Sequence, residues 1–298
     1  MSLMKKRGIA RFLLVLLLFL IAAVLMLYPF LANYVFEHRT DSLVHTVEAT
    51  AQEIDDGQKQ KELELARRYN DMIASGHIKL QDPFVEEEKN QFSDNYDKLL
   101  CMTEDGVMGF IKIPSIDVSL PIYHGTSEAT LEAGAGHLQG TSLPIGGTGT
   151  HSVITGHSGL SSAKLFTDLT ELETGDIFSL TVFGENIVYE VDRIKTVLPY
   201  ELDDLAIDPS EDYCTLITCT PYGVNTHRLL VRGKRTEEKA VLENEELFRA
   251  KAVESKWMQE YKRDILASLA MFLLAVLAWT GRRKYLQKKH KEDYRNEI

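Results

Sequence analysis

The stretch Thr215-Leu216-Ile217-Thr218-Cys219 is an apolar, β-branched run ending in a cysteine, and nine positions on Arg228 opens the run Arg228-Leu229-Leu230-Val231-Arg232-Gly233. Between them lies Thr220-Pro221-Tyr222-Gly223-Val224-Asn225-Thr226-His227, rich in residues that turn a chain. Two extended runs joined by such residues predict a hairpin that sets Cys219 and Arg228 side by side. A cysteine in a strand is ordinarily a small core hydrophobe. At a strand end, beside an arginine, it has a second reading as a presented nucleophile.

Upstream, Ser152-Val153-Ile154 runs into Thr155-Gly156-His157-Ser158-Gly159-Leu160, which puts a histidine at a strand-to-loop junction between two glycines. Cys219, His157 and Arg228 on separate strand ends are the parts of a thiol acyl-transfer site. The other histidines have weaker settings. His227 adjoins Arg228 and so points to the opposite face of a regular strand, while His124, His137 and His151 lie in polar or glycine-rich segments. Three cysteines, Cys101, Cys214 and Cys219, are too few and too scattered for a disulfide framework or a C-x-x-C metal site, so no metal and no cofactor is expected. Cys214 falls on the face of the strand opposite Cys219 and reads as core packing; Cys101 has no assigned role.

The segments T-L-I-T-C, T-G-H-S-G-L and N-T-H-R-L-L-V-R-G together resemble the catalytic segments of the sortases, the Gram-positive cysteine transpeptidases, over roughly residues 105–235. The run T-C-T-P-Y-G-V-N-T-H-R-L-L-V-R-G is most similar to the class C, pilus-polymerising members. The resemblance implies a closed eight-stranded β-barrel carrying Cys219 as nucleophile, His157 as acid and base, and Arg228 as oxyanion or substrate-backbone partner. For Thr218 it leaves two roles, orienting substrate or packing the strand. It also changes the reading of Asp82-Pro83-Phe84, by itself an ordinary loop element in which Pro83 stops a helix. Class C sortases carry an Asp-Pro-aromatic lid across the active site. Mapped onto this chain, Asp82 would pair with Arg228 and Phe84 would cover the sulfur of Cys219.

Residues 12–36 carry no charge and exceed the roughly 20 apolar residues that cross a bilayer. An uncleaved anchor fits them better than a signal sequence, whose apolar core runs about 7–15 residues before a small-residue cleavage site. Residues 265–280 form a second, shorter apolar run with Trp279 where an interfacial aromatic would sit. The chain has 33 basic and 44 acidic residues, yet the tails 1–11 and 281–298 hold 11 of the basic and 3 of the acidic ones. Positive charge outside both apolar runs predicts cytoplasmic tails with the intervening residues outside the cell. The acidic remainder argues against nucleic acid as a partner, because phosphate binding needs clustered Lys and Arg.

Between these runs the expected layout is a helical segment with the lid at 37–104, a catalytic barrel at 105–235 and a helical linker at 236–264. Spaced apolar residues from Val44 to Ile73 predict one or two amphipathic helices broken at Asp55-Asp56-Gly57. The runs Phe110–Ile113 and Val118–Ile122, with prolines at their margins, read as edge strands. Ile177–Phe183 and Asn186–Val197 alternate around Gly184-Glu185 as a hairpin. With the strands at Val153, Leu216 and Leu229, the pattern predicts a mainly β, antiparallel closed barrel, with short helices at 129–138 and 161–172.

The resemblance implies cleavage of an LPXTG-like sorting signal between Thr and Gly through a Cys219 thioester, then transfer to a pilin lysine. Pilin subunits and membrane lipid are the expected partners. Two alternatives stand beside this reading: a wall-anchoring sortase that uses a cell-wall precursor amine, and a membrane-tethered scaffold without catalysis.

Overall fold

The computed structural model describes residues 2–76, 80–84, 95–103, 105–160, 162–236 and 256–296. Its centre is a closed barrel of eight strands: β1 (Val107–Ile113), β2 (Val118–His124), β3 (Ala135–His137), β4 (Thr150–Thr155), β5 (Ile177–Val182), β6 (Glu185–Val197), β7 (Asp212–Thr220) and β8 (His227–Arg235). Around the barrel the order is β1-β2-β3-β4-β7-β8-β6-β5, with β5 closing onto β1. Phe110–Ile113 and Val118–Ile122 are therefore not edge strands, since closure gives each a partner on both sides. Nor is the barrel wholly antiparallel: β2 runs parallel to β3, and β4 parallel to β7.

The predicted β5–β6 hairpin is present, with Val182 opposite Glu185. Its two turn residues, Phe183 and Gly184, have φ of 51° and 76°. Positive φ at both central positions is the turn whose twist matches the flanking strands, and it explains the glycine. The other expected helices are shorter than their sequence windows. Helix α3 covers Glu128–Ala133 and is followed by β3 from Ala135, while among the described residues of the 161–172 window only Thr167–Glu171 is helical, as a tight 3-10 turn.

On the N-terminal side, α1 (Ser2–Glu53) is one continuous helix and α2 (Asp56–Ser75) follows it. The break falls where the acidic pair predicts: the Asp55 carboxylate caps α2 by accepting from the backbone N–H groups of Gly57 and Gln58. The N-terminal part of α1 presents Leu13 to Leu31 outward, and the stretch from Leu13 is long and apolar enough to cross a bilayer. Further along, Asn33 accepts from Lys164 N at 2.8 Å, and Phe36, Val44 and Val47 pack against the barrel core.

Helix α2 buries Leu63, Ala66, Tyr69, Asn70 and Ile73, a three-and-four spacing that makes one face. Asn70 fixes that face to the β3–β4 connection by donating to Leu143 O and accepting from Leu143 N at 2.7 Å.

Residues 256–296 form a separate unit, the helix α4 (Lys256–Asn296), in which Tyr261–Leu286 has the length and composition of a second span. The expected helical linker at 236–264 falls mostly outside the described residues; 256–264 belong to α4.

Two core clusters divide the work along β7. Cys214 and Leu216 face the barrel interior with Phe178, Tyr189 and Val231, and Cys214 is wholly buried there. Ile217 faces outward into a second cluster with Val153, Val197, Leu205 and Leu230. The outward face is the one that ends in Cys219.

Beside this core, His137 is fully buried, its Nδ1 2.8 Å from the Tyr96 hydroxyl and its Nε2 2.9 Å from Ser142 O. Burial drives the imidazole down from its ordinary 6.5 to about 4, against the pull of the Ser142 bond. Between those values the unfolded chain takes up a proton that the folded barrel refuses. Stability from this residue is therefore complete above 6.5 and is lost as the pH falls toward 4, an effect of about 3 kcal/mol. Denaturation midpoints compared at the two pH values should show His137→Gln with a shallower acid loss than the parent. An identical acid slope in both would assign the loss to other groups.

Candidate active site

The three candidate groups meet at one rim because of strand direction. Parallel β4 and β7 carry their C-terminal ends to the same edge of the barrel, so the chain leaving β4 at Thr155 reaches His157 beside the end of β7, where Cys219 lies. Antiparallel β8 starts at that edge, and Arg228 is the direct partner of Cys219 in the ladder. The expected hairpin register is therefore the observed one. Gly156 N donates to Ile217 O at 3.0 Å, and Thr218 Oγ1 donates to Gly156 O at 2.8 Å. Thr218 sits on the face opposite Cys219, wholly buried, and its hydroxyl ties the strand to the His157 loop. Gly156 itself is required by a close approach: a Cβ there would lie 2.7 Å from the Phe166 ring.

Asp82 and Arg228 form a two-pronged pair, Nε to Oδ1 at 2.8 Å and Nη2 to Oδ2 at 2.5 Å, with the two side chains 9% and 8% exposed. Arg228 Nη1 also donates to the carbonyls of Asn225 and His227. Pro83 is buried, and Phe84 follows with its ring centroid 5.8 Å from that of His157 and 4.9 Å from the guanidinium carbon of Arg228. Phe84 packs with Leu80 and Leu202 onto the outward cluster around Ile217. Asp82 thus engages the arginine through its carboxylate, and Phe84 engages both the histidine and the arginine through an aromatic face.

Cys219 is 8% exposed. Burial pushes its thiol above the ordinary value; the Arg228 guanidinium pulls it down, and the Asp82 carboxylate pushes it up again. Phe84 contacts the His157 and Arg228 that flank the thiol.

The other candidate histidines are engaged elsewhere. His124 lies between the carbonyls of Leu99 and Gly106, His151 between Ala206 O and the Thr215 hydroxyl, and His227 beside the Thr226 hydroxyl. Cys101 is exposed, and all three cysteines are free. No cluster of metal-ligating side chains occurs among the described residues.

Several residues at the site carried no readable signal in the sequence. Leu80 and Leu202 reach the lid cluster from separate connections. Glu128, 29 positions before His157, places Oε2 3.5 Å from its Nε2. Only the tertiary fold brings them in.

Comparison with known proteins decides the family. Residues 111–236 match the sortase domain model. Sortase C-1 from Actinomyces oris is 49% identical, with a TM-score of 0.56 over 60% of this chain and 98% of that structure. The chain belongs to the sortase family. A pilus-related sortase C of Group B Streptococcus is 44% identical, with a TM-score of 0.58 over 65% of this sortase and 96% of that structure, which places it with class C. Sortase A of Listeria monocytogenes is 33% identical over 141 residues, 47% of this sortase but 59% of the Listeria protein, so the match spans under two thirds of that relative.

Proposed function

We propose that this sortase is a membrane-anchored transpeptidase that joins pilin subunits. What supports this reading is a pairing at the rim that suits a lid: Asp82 bonded to Arg228, the ladder partner of Cys219, with Phe84 against His157. A site that must stay shut until a particular protein arrives suits a polymerase, and the Group B Streptococcus relative is described as pilus-related.

In this mechanism the lid swings away and Asp82 releases the guanidinium. The Cys219 thiol passes its proton to His157 as Sγ attacks the Thr-Gly carbonyl of an LPXTG-like signal, forming the C–S bond as the C–N bond breaks. His157 gives the departing glycine amine its proton. Arg228, freed from Asp82, donates to the tetrahedral oxyanion or to the substrate backbone. A pilin lysine then loses its proton to His157 and attacks the thioester; the C–S bond breaks, the thiol regains a proton, and an isopeptide remains. The two apolar helices would hold the barrel outside the cell with both basic tails in the cytoplasm.

Mixing the full chain with purified pilins and mapping the products by mass spectrometry tests this reading. Lysine isopeptides between pilins are expected. Pilin monomers joined only to wall peptide would instead identify a wall-anchoring enzyme.

A further inference from the structure

His157 has an orphan nitrogen. Its Nε2 is buried without a hydrogen-bond partner among the described residues, while the ring is 16% exposed. At 3.5 Å from Glu128 Oε2, that nitrogen faces a carboxylate at charge-pair distance but outside hydrogen-bond geometry. The backbone that carries it is fixed: Ser127 caps α3 by accepting from Thr130 N, which sets Glu128 at the first helical position. Strand β3 follows that helix directly and pairs with β4, whose end delivers His157. One set of strands therefore places both partners. An acidic residue in a first helical turn also complements the amide dipoles there, but that role does not account for a buried imidazole nitrogen turned toward it.

We propose that Glu128 is a positioning residue for His157, keeping the ring proton on Nε2 so that Nδ1 offers its lone pair to the proton transfers of the reaction. A carboxylate beside one ring nitrogen favours the tautomer with N–H on that side, as in carboxylate–histidine pairs generally. When the ring gains a second proton from thiol or amine, the new positive charge lies next to the same carboxylate. Glu128 is 75% exposed, so the contribution is modest and screened by salt. The inference rests on the transpeptidase reading above, and the experiment separates the two.

Glu128→Gln keeps the size and the helix while removing the charge. In the full chain in detergent, with Asp82→Ala and Phe84→Ala in both proteins to open the site, kcat on an LPXTG-type peptide should fall about three- to fivefold at low salt with KM unchanged. Raising the salt to about 1 M should bring the parent down to the variant and leave the variant where it was. Independently, nitrogen NMR of histidine-labelled protein, with the His157 signals assigned by their loss in His157→Gln, should show a proton on Nε2 in the parent and mixed tautomers in Glu128→Gln. An unchanged kcat, a loss indifferent to salt, or an unchanged tautomer each overturns the proposal. If the parent turns over no peptide, the transpeptidase reading fails, and the tautomer comparison alone decides the role of Glu128.

Discussion

Replacing Cys219 by alanine is expected to lower transpeptidation at least about a thousandfold, the scale seen when a covalent nucleophile is removed. The fold should survive, because the change deletes one sulfur at a strand end and costs about 1 kcal/mol or less. Cys214 gives the contrast. It is wholly buried in the barrel interior, and burial pushes its thiol well above the ordinary value, so it is an inert packing group. Cys214→Ala should lower stability and leave the chemistry in place. Trapping an LPXTG-type peptide as a thioester on the full chain, then locating the adduct by mass spectrometry, checks both variants. An adduct that persists in Cys219→Ala, or that maps to Cys101 or Cys214, removes Cys219 from the mechanism.

What the sequence made legible was local. The Cys219–Arg228 juxtaposition follows from one hairpin, and an antiparallel ladder fixes the register once its turn is recognised. The β5–β6 turn was legible for the same reason, since Gly184 advertises a left-handed position. Parallel pairs leave no such mark: β4 and β7 lie more than fifty residues apart, and nothing in Ser152-Val153-Ile154 names its neighbour. That pairing nevertheless puts His157 and Cys219 on one rim, so the histidine could be proposed from its glycine setting but not positioned. The 129–138 window reads as helix throughout because Ala135-Gly136-His137 has little strand character of its own; its extended conformation comes from β2 and β4 on either side. Thr218 shows the limit at one residue. Its neighbour alternation is readable, yet the acceptor of its hydroxyl, Gly156 O, lies just past β4, a strand brought beside β7 only in three dimensions.

Opening the lid by Asp82→Ala together with Phe84→Ala should raise the alkylation rate of Cys219 about 30-fold. The argument begins with the latch. Asp82 and Arg228 share two charge-assisted hydrogen bonds between side chains under a tenth exposed, and losing them weakens closure by about 2 kcal/mol, which is about 30-fold in the open population. Three consequences then act in the same direction on the thiol. Less burial and the loss of the Asp82 carboxylate both lower its proton affinity, and the Arg228 guanidinium, still beside it, now acts unopposed. More thiolate and freer access each speed alkylation. The single changes divide these effects. Phe84→Ala leaves the ion pair and mainly removes cover from His157 and Arg228, whereas Asp82→Asn keeps the shape and removes the charge. The double variant should therefore exceed either alone. Exposed Cys101 provides an internal standard in the same molecule, and buried Cys214 should stay unlabelled throughout. If the ratio of Cys219 to Cys101 labelling is the same in parent and double variant, the Asp82–Arg228 pair does not control access to the sulfur, and release of Arg228 can no longer be the step that admits substrate.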